Sequence, residues 1–278
     1  MMIVEQMLKN APNPLLHIAD VSGSALFQGD CLDIMPLIPD KSVQLILADL
    51  PYGTTACKWD SIIDLNLLWK QYKRIIKDNG AIVLTASQPF TTKLISSNYE
   101  MFKYEWIWEK TMATGGLLAK KRPMKAHENI CIFSHKNEFY TEQRLQGEAY
   151  KRVEGKKKDS VIGDKEGGYV TVNNGGRSAR SVIKIPNPNF GSLHPTQKPL
   201  ELMKYLISTY SNENDMILDN TMGSGTTCLA AKELNRKFIG IEKEPKYYEI
   251  ACQRCGFSIT ANYRFSALRW WGKSKLKS

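Results

Sequence analysis

An apolar run in this 278-residue chain ends at an acid that is followed closely by an aromatic residue. The run spans residues 43–48, and the tetrapeptide Asp49-Leu50-Pro51-Tyr52 comes directly after it. A carboxylate and a neighbouring main-chain carbonyl can accept both hydrogens of an amino group, and a tyrosine ring can stack on a flat base. Turn residues also end many apolar strands, so the tetrapeptide alone is equally typical of a turn.

A second group of residues has the spacing of a nucleoside site. A strand-like run ends at Asp219, the turn Gly223-Ser224-Gly225 precedes a helix-like run from Thr226, and the next strand-like run leads to Glu242. Glycines let a ligand approach the backbone, a helix start offers free N–H groups, and an acid after the next strand can bind ribose hydroxyls. Neither the glycine pattern of hydride enzymes nor a phosphate-binding loop with its lysine is present. The pattern therefore favours nucleoside binding over a simple tight turn.

A third motif, LHPTQKPL at residues 193–200, leads into a helix-like run. Pro199 suits a first helical turn, and Thr196 and Lys198 stand at the start of the helix. A lysine beside helix-start N–H groups suits a carboxylate ligand. By itself the segment is more typical of an ordinary proline-rich helix start.

Composition narrows the class of protein. Hydrophobic residues make up 42% and charged residues 24% of the chain, and no apolar run approaches the roughly 18 residues of a membrane span. The N-terminus lacks the pattern of a signal peptide, and the six cysteines are scattered, which predicts reduced thiols in a cytoplasmic protein. Cys252 and Cys255 have the spacing of half a zinc site, but no second pair accompanies them, so no metal site is expected.

Positive charge is concentrated in two segments. The net charge is +10, and residues 110–190 hold 16 Lys and Arg against 8 Asp and Glu, so 16 − 8 = +8 lies there. Residues 264–278 add five positive charges and no acid. This distribution is typical of binding to a phosphate backbone, and equally of a solvated surface.

The elements that must position these motifs alternate between strand and helix. Strands are predicted at residues 25–28, 43–48, 81–85, 105–108, 129–134, 216–219 and 237–241. Helices are predicted at residues 65–77, 90–98, 200–211, 226–234 and 247–255. Continuous apolar strands between helices indicate an α/β fold with a mainly parallel sheet covered on both faces. The polar, glycine-rich stretch 135–190 predicts a long functional insert.

Taken together, the motifs resemble those of the S-adenosylmethionine-dependent DNA amino-methyltransferases, which modify adenine N6 or cytosine N4. The family's catalytic Asp/Asn/Ser-Pro-Pro-Tyr/Phe corresponds to residues 49–52, and its Asp-Pro-Phe-x-Gly-Ser-Gly-Thr loop to residues 219–226. His-Pro-Thr-Gln-Lys-Pro is unaltered at 194–199, and Gly-Asp-Cys-Leu at 29–32 and His-Glu-Asn-Ile at 127–130 also match family elements. The catalytic motif precedes the cofactor loop, which is the order of the beta group. The resemblance covers roughly residues 25–255. Leu50 replaces a proline whose carbonyl is used, and Thr221 replaces an aromatic residue.

The resemblance implies a Rossmann-like methyltransferase fold with a seven-stranded, mainly parallel sheet, helices on both faces, permuted motif order and a basic target-recognition insert. It implies a catalytic half at 1–109, the insert at 110–190 with 129–134 returning to the sheet, a cofactor half at 191–255 and a basic aromatic tail at 256–278. Catalytic residues would be Asp49, Leu50, Pro51 and Tyr52. Residues that would bind S-adenosylmethionine are Asp30, Cys31, Asp49, Thr196, Lys198, Asp219, Met222, Gly223, Ser224, Gly225, Thr226 and Glu242. Residues that would contact DNA are Lys120, Lys121, Arg122, Lys125 and His127.

The expected reaction is methylation of adenine N6 in double-stranded DNA after the base is flipped out, since aspartate in the first position leans towards adenine. Cytosine-N4 methylation, RNA methylation and a catalytically inactive DNA-binding protein are the alternatives. The expected location is the cytoplasm, associated with the nucleoid. A homodimer and a companion restriction enzyme are further expectations.

Overall fold

The chain forms two compact units. The computed structural model describes residues 3–11, 16–19, 23–53, 60–154, 169–187 and 197–257. One unit comprises Met1–Thr141 with Ser181–Ser278, and the other comprises Glu142–Arg180. The smaller unit therefore lies inside the segment 110–190 that the sequence marks as a recognition insert.

The described residues contain thirteen strands and seven α-helices. The strands are β1 (Leu16–Ala19), β2 (Ala25–Gln28), β3 (Val43–Asp49), β4 (Ile76–Ala86), β5 (Phe102–Thr114), β6 (Lys125–Phe133), β7 (Leu145–Gln146), β8 (Tyr150–Glu154), β9 (Tyr169–Asn173), β10 (Gly176–Arg177), β11 (Val182–Ile185), β12 (Met216–Asp219) and β13 (Lys237–Glu242). The helices are α1 (Ile3–Asn10), α2 (Cys31–Ile34), α3 (Leu65–Ile75), α4 (Phe90–Ser97), α5 (Leu200–Tyr210), α6 (Thr226–Glu233) and α7 (Pro245–Arg254). Among these helices, none combines the length and the apolar character that a bilayer span requires.

The larger unit is built on one nine-stranded sheet in the order β1-β2-β13-β12-β3-β4-β6-β5-β11. The five strands from β2 to β4 in this order are parallel to one another, and β11 is parallel to β5. The edge strand β1 and the strand β6 run antiparallel to their neighbours. The first six residues of β3 are all buried, so both faces of the sheet are covered there.

All seven predicted strands are present, and they are the seven consecutive strands from β2 to β5 in the sheet. The α/β fold class is therefore confirmed, but the sheet has nine strands among the described residues rather than seven. The two additional strands, β1 and β11, lie at its edges. In β11 exposed and half-buried residues alternate, and one of its four residues is a lysine. An edge strand needs no continuous apolar run, which is why the sequence pattern did not indicate it.

The helices follow from amphipathic segments with recognisable ends. Asp64 caps α3 by accepting the N–H groups of Asn66 and Leu67, and the buried side chains of this helix recur on one face. The helix was expected to reach residue 77, but it ends at Ile75 because Ile76 adopts an extended conformation and begins β4. The helices α1 and α2 were not predicted.

The parallel strands bring the polar motif residues together. Asp49 ends β3, Asp219 ends β12 and Glu242 ends β13, and these strands are neighbours in the sheet. Thr85 on β4 lies opposite Asp49 in the register. Because the carboxyl ends of parallel strands meet at one edge of a sheet, these side chains share a crevice.

Among its described residues, the smaller unit contains two short antiparallel pairs, β7 with β10 and β8 with β9. The guanidinium of Arg177 lies 4.8 Å from the ring centroid of Tyr150 and donates to the side chain of Asn173 at 2.5 Å. The side-chain oxygen of Asn173 also accepts the N–H of Gly175 at 2.8 Å. These contacts fix the turn between β9 and β10.

Candidate active site

The carboxylate of Asp49 is held by three side chains. Its Oδ1 accepts the Tyr52 hydroxyl at 2.6 Å and also the Thr85 hydroxyl, and its Oδ2 accepts Lys198 Nζ at 2.6 Å. A carboxylate offers about four acceptor positions, so one remains on Oδ2. The group is therefore fixed in orientation and still able to accept one more hydrogen bond.

Lys198 is shared between two carboxylates. Its Nζ lies 3.2 Å from Glu128 Oε2, while Glu128 Oε1 lies 2.5 Å from Lys110 Nζ. The side chains of Lys198, Glu128 and Lys110 are only 8%, 12% and 9% exposed. Two carboxylates and two ammonium groups thus alternate in a chain of zero net charge that is largely buried except at Asp49, whose side chain is 27% exposed. We call it the Asp49–Lys110 charge chain; it consists of Asp49, Lys198, Glu128 and Lys110.

The charges in this chain stabilise one another. Burial would lower the pKa of Lys198, but the carboxylates of Asp49 and Glu128 raise it above its ordinary value. Burial would raise the pKa of Glu128, but Lys198 and Lys110 hold it below its ordinary value. Both residues are therefore charged at neutral pH.

The Tyr52 ring lies within an aromatic and cationic environment. It stacks on Phe90 with ring centroids 5.3 Å apart and an interplanar angle of 25°, and Lys198 Nζ lies 5.6 Å from its centroid. Burial and then the charge of Asp49 raise the pKa of Tyr52 well above its ordinary range. Its hydroxyl therefore stays protonated and acts as a donor to Asp49.

Glu242 occupies the position expected for a residue that binds ribose. Its Oε2 accepts the N–H of Gly223 at 2.8 Å, and its Oε1 accepts the N–H of Glu244 at 2.7 Å. The N–H of Lys243 also stabilises this carboxylate. Since a carboxylate offers about four acceptor positions, at least one remains for a ribose hydroxyl. Burial raises the pKa of Glu242 above its ordinary value, because the charged carboxylate is less well solvated inside the protein.

The glycine turn between β12 and α6 is compact and firmly anchored. Gly225 has φ +77°, and a Cβ there would lie 2.8 Å from Cβ of Ala251, so only glycine fits. Arg254 on α7 donates to the carbonyl and hydroxyl of Ser224 at 2.7 and 3.0 Å and to the Thr226 hydroxyl at 3.0 Å. Met222 is buried beside the turn. The first turn of α6 is thereby held against the sheet edge.

Asp219 sets the other side of this turn. Its Oδ1 accepts the N–H of Thr221 at 3.1 Å, and burial raises its pKa to about 7. The hydroxyl of Thr221 donates to the main-chain carbonyl of Asp49 at 3.1 Å. The residue that replaces the family's aromatic therefore ties the glycine turn to the strand that bears Asp49.

Asp30 and Cys31 begin the short helix α2. Asp30 accepts the N–H of Leu32 at 3.0 Å through Oδ1, and its Oδ2 lies 3.0 Å from Lys243 Nζ. Burial would raise the pKa of Asp30, but the Leu32 amide and the Lys243 ammonium lower it. Burial raises the pKa of Cys31 to about 11, so this thiol is neutral.

One cavity of 760 Å³ is lined both by the residues around Asp49 and by the residues around Glu242. It is lined on one side by Asp30, Asp219 and Glu242 and on the other by Asp49 and Tyr52. This volume lies within the range of small-molecule and cofactor sites. A nucleoside whose ribose is bound by Glu242 would thus share a continuous cavity with a second ligand bound at Asp49.

The described structure brings most of the expected site residues together. The predicted catalytic tetrapeptide lines the cavity, as do most of the predicted cofactor residues; Thr196 lies outside the described residues. Of the residues expected to contact DNA, Lys125 lines the cavity, Lys120, Lys121 and Arg122 are exposed in the turn before β6, and His127 is exposed on β6.

Sequence reasoning missed several residues of the site. Thr85 and Lys110 belong to no sequence motif. Thr85 joins the site through its hydrogen bond to Asp49, and Lys110 joins it through its ion pair with Glu128. Glu128 was passed over although it lies in the His-Glu-Asn-Ile stretch that matched a family element. Its position in that family element, directly before the predicted strand 129–134, is the signal that could have identified it.

On this sheet, one cavity places an acid of the kind that binds ribose beside a carboxylate that can accept the hydrogens of an amino group. This arrangement is the one expected of an S-adenosylmethionine-dependent amino-methyltransferase. Comparison with known families agrees, since the model of the N6/N4 family, described as DNA methylase, matches residues 43–253. The chain belongs to this DNA methyltransferase family, and its motif order is that of the beta group. Its cofactor is S-adenosylmethionine.

Relatives in two bacteria are type II methyltransferases. The chain is 29% identical over 246 residues to M1.MboII of Moraxella bovis, covering 80% of this chain and 92% of that protein. It is 27% identical over 259 residues to M.HinfI of Haemophilus influenzae, covering 83% and 68% of the two proteins.

Two solved structures are similar along most of the chain. The complex of M1.HpyAVI with S-adenosylmethionine has a TM-score of 0.57 at 25% identity, covering 84% of this chain and 98% of that one. The PvuII cytosine-N4-specific DNA methyltransferase has a TM-score of 0.61 at 15% identity, covering 87% and 90%. At 15% identity the second likeness concerns the fold alone.

Proposed function

We propose that the protein methylates adenine N6 at a specific sequence in double-stranded DNA, after the target base has left the helix. The observation that carries this proposal is the Asp49 carboxylate, which is fixed by Tyr52, Thr85 and Lys198 and keeps one acceptor position facing the cavity. An aspartate at this position is typical of adenine enzymes in the family, whereas serine is typical of cytosine-N4 enzymes.

The residues around the cavity would act chiefly by positioning. When bound, S-adenosylmethionine supplies an electrophilic methyl group. Asp49 and the Leu50 carbonyl would accept the two hydrogens of the exocyclic amino group and favour a nitrogen whose lone pair points at the methyl. Tyr52 would stack on the flipped base and so offset part of the cost of unstacking. Orientation of two reactants can lower a barrier by up to roughly 7–11 kcal/mol. The surplus proton would then leave to Asp49 or to water.

The proposed cofactor contacts divide along the cavity. Glu242 would bind the ribose, Asp30 and Cys31 the adenine moiety, and the turn at 219–226 the middle of the molecule. Thr196 and Lys198 would face the methionine carboxylate. Lys198 also contacts Asp49 and Glu128, so a methionine carboxylate bound there would share this cation with them.

The test is methyl transfer from labelled S-adenosylmethionine to unmethylated duplex DNA, followed by analysis of the modified base. N6-methyladenine supports the proposal, N4-methylcytosine supports the cytosine alternative, and label only in RNA would indicate an RNA enzyme. We expect Asp49→Ala to lower transfer at least about 100-fold, as when one preorganised hydrogen-bonding group beside the reacting atoms is removed. Cofactor affinity should change much less than transfer, because most of the expected cofactor residues, including Glu242 and the glycine turn, are untouched. Cofactor binding by the wild-type protein without transfer to any nucleic acid would refute the enzymatic proposal.

We further propose that the protein is part of a restriction-modification pair and acts in the cytoplasm on nucleoid DNA, as a homodimer. The type II relatives support the pairing. Sequencing modified bases in DNA from cells that express the protein would identify the site. Resistance of that DNA to a co-encoded nuclease would test the pairing, and sedimentation of the purified protein would test the dimer.

A further inference from the structure

The hairpin between β5 and β6 presents an unusual tip. Leu117 is 103% exposed, and Met112, Met124 and Leu118 are 57%, 44% and 39% exposed. A single exposed leucine is ordinary on a protein surface, but several large apolar side chains on one projecting segment mark a binding surface. We call residues 111–126 the β5–β6 tip.

The tip is a built structure. Gly115 has φ +88° and starts a 3-10 turn in which the N–H groups of Leu118 and Ala119 donate to Gly115 and Gly116 at 3.0 and 3.1 Å. At its base, the Asn187 side chain accepts the Met112 N–H at 3.1 Å and donates to the Met112 carbonyl at 3.3 Å. Leu117 is thus presented to solvent by hydrogen-bonded backbone.

Charge identifies the partner that this surface fits. The segment 111–126 contains four cations and no acid. Lys120, Lys121 and Arg122 directly follow the apolar turn and are exposed. An apolar point flanked by cations matches a nucleic-acid duplex, whose phosphates surround a stack of flat bases.

The tip also lies at the rim of the active-site cavity. Met112 and Thr114 on one side of the hairpin and Lys125 on the other line that cavity together with Asp49. Leu117 is three residues beyond Thr114, so it extends at most about 10 Å further along the chain. This reach is comparable with the depth of a major groove, about 8.5 Å.

We propose that Leu117 inserts into the DNA base stack at the place that the target base leaves. The inference rests on the proposed methylation of duplex DNA by base flipping. Apolar side chains that enter a base step replace part of the lost stacking, so they lower the cost of an extrahelical base. Leu117 acts as a positioning residue, because it occupies the space that the target base leaves and so favours the flipped state. Asp49 contacts the flipped base in the cavity.

The experiment compares a duplex whose target base is paired with one whose target base has no pairing partner. Leu117→Ala should lower kcat/KM on a fully paired duplex by about tenfold to a hundredfold, because it removes the group that offsets unstacking. On a duplex in which the target base faces an abasic site, the same variant should lose much less. Leu117→Met keeps the apolar bulk and should retain activity. Leu67→Ala, at a leucine that is 50% exposed on α3, is the control and should match the wild type on both duplexes.

Equal losses on the paired and abasic duplexes would overturn the proposal, as would unchanged kcat/KM on the paired duplex. A second readout uses 2-aminopurine at the target position, whose fluorescence rises when the base unstacks. We expect this rise with the wild type and Leu117→Met and its loss with Leu117→Ala. If the wild type transferred no methyl group, the proposed function would fail, and the fluorescence result would still decide whether Leu117 acts on the stack.

Discussion

Replacing Glu128 by glutamine should expose the energetics of the Asp49–Lys110 charge chain. The substitution preserves shape and removes one charge from a set that sums to zero. Lys198 would still have Asp49 at 2.6 Å, but Lys110 would lose the carboxylate at 2.5 Å while its side chain is only 9% exposed. The dominant effect is therefore a single uncompensated cation in a nearly dry environment.

The magnitude follows from the burial of that cation. Removing one partner of a buried ion pair typically costs about 3–5 kcal/mol of unfolding free energy. We expect Glu128→Gln to lie near the lower end, about 3 kcal/mol, since only one of its two cations loses every carboxylate partner. The double variant Glu128→Gln with Lys110→Met restores zero net charge and should be more stable than Glu128→Gln alone.

Urea unfolding of the wild type, both single variants and the double variant gives the coupling energy directly. Glu201→Gln is the matched control, because Glu201 is 72% exposed in its pair with Lys204 and should barely matter. The pKa of Glu128 is held below its ordinary value, so its stabilisation is full above about pH 4.5 and is lost as pH falls through the lower folded-state pKa. The deficit of Glu128→Gln should shrink in acid accordingly.

Additive losses in the double variant would refute this reasoning, because they would mean that Lys110 is not orphaned by the loss of Glu128. A deficit that stayed constant into strong acid would refute it independently. In that case the glutamine would be harmful through its shape or its hydrogen bonds and not through the missing charge.

Two further predictions concern pH and salt. Burial raises the pKa of Asp219 to about 7, so its contribution to stability is present below its ordinary pKa of 3.8 and is lost as pH rises through about 7. Asp219→Asn should therefore abolish this loss in unfolding experiments between about pH 4 and about pH 7, and an unchanged pH profile would contradict the assignment. Replacing Lys120, Lys121 and Arg122 by glutamine should reduce the slope of log affinity for DNA against log salt by about 0.9 for each phosphate that is no longer neutralised. Lys204→Gln, on α5, should leave that slope unchanged, and a wild-type slope in the triple variant would exclude these cations from the DNA interface.

The sequence predicted the centre of the sheet well because parallel strands covered on both faces need continuous apolar runs. The runs that end at Asp49, Asp219 and Glu242 are of this kind. Their position at the ends of these runs was enough to predict that the three acids lie at the same edge of the sheet. The edge strands β1 and β11 were not predicted. In β11 exposed and half-buried residues alternate, so no continuous apolar run marks it.

The missed parts of the site depend on long-range partners. Lys198 was assigned to an anion from its local setting at a helix start, but its contacts with Asp49 and Glu128 arise only when β3, β6 and the segment before α5 meet. Likewise, Thr221 differs from the family pattern in a way that no local rule interprets. Only the fold shows that its hydroxyl reaches the carbonyl of Asp49.

The 3.1 Å hydrogen bond from Thr221 to the carbonyl of Asp49 joins the turn after β12 directly to the end of β3. The two halves of the cavity are therefore connected through the main chain. We expect a ligand that orders the turn to restrain the main chain at Asp49 as well, so that binding in one half of the cavity changes the free energy of binding in the other. Such a coupling is reciprocal by thermodynamic necessity. In the proposed reaction, the factor by which the cofactor changes the affinity for DNA therefore equals the factor by which DNA changes the affinity for the cofactor.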